Sequence, residues 1–246
     1  MTPTGSATDN REYYDSFAGR YEDRRGSNDP GGYHELLDEL EAGLVERYGR
    51  DRDVLEVGCG TGLVLERIAR FARQATGVDL SPGMLERARS RGLEVREGSA
   101  TELPFPDASF DVTCAFKVLA HVPDVRRAIE EMARVTRQGG VVLAELYNPL
   151  SWRGLLRRLG PARRISSVAR ESDVFTRFDP PWRARSYVPL NCTLVAARGI
   201  RIVTPTAHAM AVPGLRHGLR ALERRLCDGP LRVFGGFYVL VLRKQA

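Results

Sequence analysis

The chain has 246 residues, 43% of them hydrophobic and 28% charged, with a net charge of +6. That is enough apolar material for one sizeable core, and no apolar run approaches the roughly 20 residues that span a bilayer. Four scattered cysteines, Cys59, Cys114, Cys192 and Cys227, suggest neither a disulfide framework nor a metal knuckle, and without a cysteine cluster iron–sulfur radical chemistry is disfavoured.

In chain order, the polar start has no charged and apolar signal regions, which predicts a cytoplasmic protein, and residues 1 to about 12 read as disordered. A short helix is predicted over 13–21, and Tyr33, Leu36, Leu37, Leu40 and Leu44 recur at helical spacing, so two helices precede the first strand. Strand and helix signals then alternate: 54–57, 63–71, 74–78, 82–91, 93–97, 112–116, 125–136 and 141–146. That rhythm predicts an α/β fold with parallel strands and right-handed crossovers. Beyond it, 191–198 reads as helix, 200–204 as strand and 236–243 as a final strand. One domain is expected over 1–246, made of an amino-terminal helical segment (1–50), a core (51–147) and two insertions (148–188 and 207–234).

The stretch around Val57 carries the chemistry. Residues 54–57 read as a short buried strand; Gly58, Gly60 and Gly62 then let the backbone turn and approach a ligand, and an amphipathic helix follows. Asp79 ends the next strand about twenty residues on, where a carboxylate can accept both hydroxyls of a ribose. The dinucleotide fingerprint needs a glycine three positions after Gly60, and Leu63 stands there.

The alternate-glycine segment, Glu56-Val57-Gly58-Cys59-Gly60-Thr61-Gly62, resembles the first motif of the class I S-adenosylmethionine-dependent methyltransferases. Residues 77–85 resemble that family's ribose-binding segment, 103–111 the run into its fourth strand and 134–142 its Gly-Gly turn into the fifth. The resemblance spans roughly 54–145. It implies a Rossmann-like, doubly wound seven-stranded sheet with an antiparallel last strand, S-adenosyl-L-methionine as methyl donor and S-adenosyl-L-homocysteine as product. It also implies cofactor roles residue by residue. Glu56 takes part in binding the amino-acid end, Gly58, Cys59, Gly60 and Gly62 form the turn, and Asp79 binds the ribose. Leu80 and Met84 give apolar contact to the adenine, and Ser99 and Ala100 stand where many relatives have an aspartate before an alanine. The backbone of Phe116 and Lys117 lines the methionine portion, and Tyr14 and Tyr21 lie on a segment that folds over the cofactor. His121, where many relatives have a histidine, is the candidate general base for an acceptor hydroxyl or amine.

Charge is uneven: residues 148–185 hold nine arginines against three acids, and 207–234 five against two. Trp152, Leu155, Leu156 and Leu159 in the first insertion, and Leu215, Leu219, Leu222 and Leu226 in the second, recur on helical faces among arginines. Both predict basic amphipathic helices forming a lid over a small, apolar acceptor, whose O, N or C nucleophile takes the methyl by in-line displacement. The alternatives are peripheral contact with an anionic membrane carrying a lipid or quinone-precursor substrate, nucleic-acid methylation, and a non-catalytic S-adenosylmethionine-binding role. Asp179-Pro180-Pro181-Trp182 matches the tetrapeptide of adenine-amino methyltransferases but falls after the fifth strand instead of the fourth, which disfavours nucleic acid. No local ligand cluster suggests a metal.

Overall fold

The computed structural model describes residues 32–151, 175–204 and 206–245. Among these, helix α1 (Tyr33–Gly49) precedes a sheet made of β1 (Asp53–Val57), β2 (Gln74–Asp79), β3 (Glu94–Glu97), β4 (Phe110–Ala115), β5 (Thr136–Tyr147), β6 (Cys192–Ile200) and β7 (Phe237–Lys244). The spatial order is β3-β2-β1-β4-β5-β7-β6. Strands β1 to β5 pair in parallel, while β7 lies antiparallel to both β5 and β6. Strand order therefore reverses between β1 and β4, and in an open sheet of this kind ligands enter at the carboxyl ends beside that reversal.

Period-two alternation along the strands makes two apolar faces. Leu55, Val57, Val142 and Ala144 pack with Ile129 and Met132 of α4 (Val125–Val135), and Val54, Val112, Val141 and Leu143 pack with Leu36, Leu40 and Leu44 of α1. Helix α2 (Leu63–Ile68) adds Val64 and Ile68 to the α1 side. Helix α3 (Pro82–Ser90) starts as its sequence dictates, with Pro82 in the first turn and the Ser81 hydroxyl accepting from the Met84 amide at 3.2 Å.

The carboxyl-terminal third departs from expectation. Of residues 191–198, predicted helical, all but Asn191 lie in the edge strand β6. The helix propensity of Leu194, Ala196 and Ala197 yields to a hydrogen-bonded ladder with β7, with a register irregularity between Leu194 and Ala196. The strand expected over 200–204 is a bend instead. Arg201 takes φ +63°, and the Glu223 carboxylate accepts from the amides of Ile202, Val203 and Thr204 at 2.8–2.9 Å. Among the described residues, two α-helices follow β5, α5 (Pro181–Arg185) and α6 (Pro213–Leu226). Only part of the leucine stripe of α6 packs: Leu219 lies against the core on the α1 side, while Leu215 and Leu222 are 48% and 42% exposed. The helix docks through buried Glu223 and through Arg220 and Arg224, both bonded to Glu39 of α1. The helix predicted over 13–21, Tyr14, Tyr21 and the Trp152–Leu159 stripe lie outside the described residues. Among the described residues no helix is long and apolar enough to cross a membrane.

Candidate active site

The glycine loop leaves β1 and is pinned to β2. Both the Gly58 and Cys59 amides donate to the Val78 carbonyl, at 2.7 and 3.1 Å. Gly58 has φ +74°, and a Cβ there would sit 2.6 Å from the Val118 side chain, so strain and space both demand glycine. Gly60 has φ +53° and open space where a side chain would be. Its amide donates to Oδ2 of Asp79 at 2.8 Å, and the Ser81 amide donates to Oδ1 at 3.0 Å. Asp79 thus accepts from both ends of the adjoining turns and steadies the loop. The Gly98 amide, in turn, donates to the Asp79 carbonyl at 3.0 Å and draws the turn after β3 alongside.

Beneath the loop, four carboxylates crowd one lysine. Asp38 and Glu41 come from the inner face of α1, Glu56 from β1 and Glu145 from β5, all of them buried. Lys117, held at φ +60°, sends Nζ to Asp38 Oδ1 (3.0 Å) and Glu41 Oε2 (2.7 Å), while its main-chain amide donates to Glu145 Oε1 (2.9 Å). Glu56 Oε2 and Glu145 Oε2 are buried without a hydrogen-bond partner. Burial first, then the nearby Glu41, pushes both carboxyls well above the usual carboxylate range, and Lys117 only partly offsets this. Such a cluster favours any further positive charge brought to it. Among the described residues, none of its members belongs to a group suited to holding a metal ion.

The other expected residues divide. Leu80 is half-buried directly after Asp79, and Met84 is buried on α3. The Ser99 hydroxyl is used locally, bonding Thr101 Oγ1 at 2.8 Å and accepting from the Thr101 amide at 3.2 Å, and Ala100 packs against the core. The Phe116 side chain is buried in the core on the α1 side, and that of Lys117 turns to the acids of α1, so only their backbone is left to line a ligand. Cys59 is buried, and burial pushes its thiol well up, which makes it unreactive.

His121 ends a 3-10 turn (Leu119–His121), with its amide bonded to the Val118 carbonyl. Its Nδ1 lies 3.0 Å from the Phe175 carbonyl oxygen, and Nε2 lies 3.5 Å from the Tyr147 hydroxyl. Burial draws its pKa below the ordinary imidazole value, partly opposed by the Phe175 contact.

Sequence reasoning passed over Asp38, Glu41, Glu145 and Tyr147. A single acid inside the apolar run Val141–Leu146 was the available signal for Glu145. Asp38 and Glu41 had none, because helical acids are ordinarily solvated.

The Asp179 tetrapeptide is structural. Its carboxylate accepts from Arg177 Nε (2.8 Å) and the Tyr187 hydroxyl (3.0 Å), with Arg183 3.3 Å away, and Trp182 is 67% exposed.

Comparison with known proteins agrees with this geometry. The family described as "Methyltransferase domain" matches residues 55–144. A protein of Mycolicibacterium smegmatis named "Probable S-adenosylmethionine-dependent methyltransferase/" is 40% identical over 103 residues, 41% of this chain and 40% of that protein. The "27-O-demethylrifamycin SV methyltransferase" of Amycolatopsis mediterranei is 35% identical over 148 residues, 52% of this chain and 54% of that one. The matched stretch thus spans about half or less of these relatives. Among solved structures, a "SAM-dependent methyltransferase, possible histamine N-methyltransferase" of Thermotoga maritima superposes with a TM-score of 0.67 at 20% identity, covering 94% of this chain and 98% of that one. The "[4+2]-Cyclase SpnF" does so with 0.65 at 20% identity over 100% and 99%, so the fold is shared by proteins named for different reactions. Four ordered sequence segments, the glycine loop bonded to Asp79, the sheet order and the family match converge: residues 55–144 match a methyltransferase domain, and the fold is that of the class I S-adenosylmethionine-dependent methyltransferases.

Proposed function

We propose that the protein transfers a methyl group from S-adenosylmethionine to a small, mostly apolar acceptor. The observation that carries this reading is the Gly60–Asp79 hydrogen bond beside the open face of the loop, with the partnerless Glu56 oxygen buried below it. These residues fit a cationic nucleoside. The Asp79 carboxylate stands at the loop, where it can accept from ribose hydroxyls, the loop amides and α2 approach the ligand, and Glu56 with its neighbours favours the positive amino-acid end. Leu80, the 98–100 turn and the backbone at Phe116 and Lys117 complete the enclosure.

The bound donor supplies an already activated methyl on a sulfonium. The protein's own task is to orient the acceptor, exclude water and move one proton where the nucleophile needs it; orientation alone accounts for about 7 to 11 kcal/mol of such a barrier. His121 serves as the base. Helices α5 and α6, from the described parts of the two insertions, shape the acceptor side of one domain. The reading is tested by calorimetric titration with S-adenosylmethionine: micromolar binding that Asp79→Ala weakens about a hundredfold supports it, and absence of heat for the wild type rejects it.

A second reading keeps this chemistry and presents the acceptor at a membrane surface. The exposed Leu215 and Leu222 of α6 favour it, with Arg225 on the same side of the helix. Flotation with anionic liposomes decides: a protein that stays at the bottom of the gradient rules it out.

A further inference from the structure

We propose that the protein leaves the exocyclic purine amine of its cofactor unread: Ser99 and Thr101, at the base end of the site, satisfy each other, so the pocket accepts S-adenosyl compounds that lack this amine. This rests on the methyl-transfer reading above and states what its nucleoside pocket selects.

The sheet sets the direction in which the nucleoside lies. Strands β1, β2 and β3 run side by side and carry Glu56, Asp79 and the 98–101 turn at their carboxyl ends. Asp79 pairs in register with Glu97, and the Gly98 amide donates to the Asp79 carbonyl at 3.0 Å, so the turn adjoins the ribose-binding acid. On the other side of Asp79 stand the glycine loop, through Gly60, and then the buried acids Glu56 and Glu145. Coulomb attraction draws a cationic amino-acid end toward those acids. With the ribose on Asp79, the base extends the opposite way, over 98–101.

The polar side chains of that turn are occupied with one another. Ser99 Oγ and Thr101 Oγ1 are 2.8 Å apart, and the Thr101 amide donates to Ser99 Oγ at 3.2 Å. The Glu102 amide bonded to the Ser99 carbonyl at 3.1 Å, and Arg127 Nε bonded to the Thr101 carbonyl at 3.3 Å, hold the two hydroxyls in this arrangement. A hydroxyl has one proton and two acceptor positions. If Ser99 donates to Thr101, a single neutral acceptor position remains for an amine; if it accepts instead, none remains. Both residues are half-buried, so water reaches whatever position is left.

The contrast with an acid decides the selectivity. A site built around a charged acceptor loses heavily when the ligand lacks the matching donor, because the acceptor is left unpaired, whereas a hydroxyl pair that is already satisfied loses little. Glu97 and Glu102 flank the turn but are exposed, where water competes for any N–H they would take. Apolar contact holds the base instead. Leu80, half-buried directly after Asp79, is placed for it, and a purine presents the same ring face with or without its amine.

Two ligands that differ only in the amine test this: S-adenosylhomocysteine and its analogue with hydrogen in place of that amine, each titrated calorimetrically into the full chain. The wild type is expected to bind the analogue about fivefold more weakly, with about tenfold as the limit set by one neutral hydrogen bond. Ser99→Asp keeps an acceptor for the Thr101 amide and adds a charged oxygen for the amine, so the ratio of the two affinities should rise about tenfold over that of the wild type. A wild-type ratio above about tenfold overturns the proposal whether or not the variant folds. So does a folded Ser99→Asp whose ratio rises by less than about threefold. Failure of the wild type to bind S-adenosylhomocysteine at all overturns instead the methyl-transfer reading beneath it.

Discussion

Buried acids meet opposite fates in two regions of this molecule. In the carboxyl-terminal third, Glu223 is wholly enclosed, yet its carboxylate accepts from three amides and the Thr204 hydroxyl, and Asp179 is held by Arg177 and Tyr187. At the carboxyl edge of β1 and β5, Glu56 and Glu145 are just as deeply buried, and each keeps an oxygen with no partner. The first arrangement spends charge on holding a bend and a loop, where satisfied acceptors stabilise the fold. The second holds charge at a cost to stability, which a protein retains where a ligand later offsets it.

The sharpest way to break this comparison is Glu223→Ala. It leaves three main-chain donors unsatisfied and should cost about 3 kcal/mol or more in urea denaturation, with S-adenosylmethionine affinity of the folded protein little changed. A loss below about 1 kcal/mol would remove the contrast. Asp79→Ala belongs to the other class: affinity for S-adenosylmethionine in calorimetry should fall about a hundredfold as charge-assisted bonds are lost, with a smaller change in stability.

Glu145→Gln sharpens the case further. Because burial raises this carboxyl above its unfolded value, the folded chain binds more protons than the unfolded one above the ordinary carboxylate range, and wild-type stability falls as pH rises through that window. The glutamine keeps an acceptor for the Lys117 amide and removes the titration. The variant should therefore gain about 1 kcal/mol or more at pH 8 and nothing at pH 4 in the ligand-free protein, measured by denaturation at both pH values. Equal effects at the two pH values would show that Glu145 is not the charged burden described. Smallest of all, Glu39→Ala, which releases Arg220 and Arg224 at the partly exposed α6–α1 contact, should cost about 1 kcal/mol or less and lose even that in high salt.

Legibility followed contact distance along the chain. Gly58, Gly60, Gly62 and Asp79 belong to one strand–helix–strand unit, whose strands are neighbours, so spacing alone placed the acid at the loop. Strand β6 was misjudged because its leucine and alanines favour a helix in isolation, and only the ladder with β7 makes them extended. The leucines of α6 were correctly given helical spacing, but the face that docks is set by Glu223 reaching the 202–204 bend.

The sequence by itself determined the alternation of strands and helices, the turn that demands glycine, and the acid that meets it, since each follows from short-range periodicity and backbone sterics. Tertiary structure alone decided that Asp38 and Glu41 close on Lys117, and that His121 sits between the Phe175 carbonyl and Tyr147. Those partners lie 26 to 79 residues apart, and they meet only because the register of β4, β5 and α1 brings separate stretches of chain to one edge of the sheet.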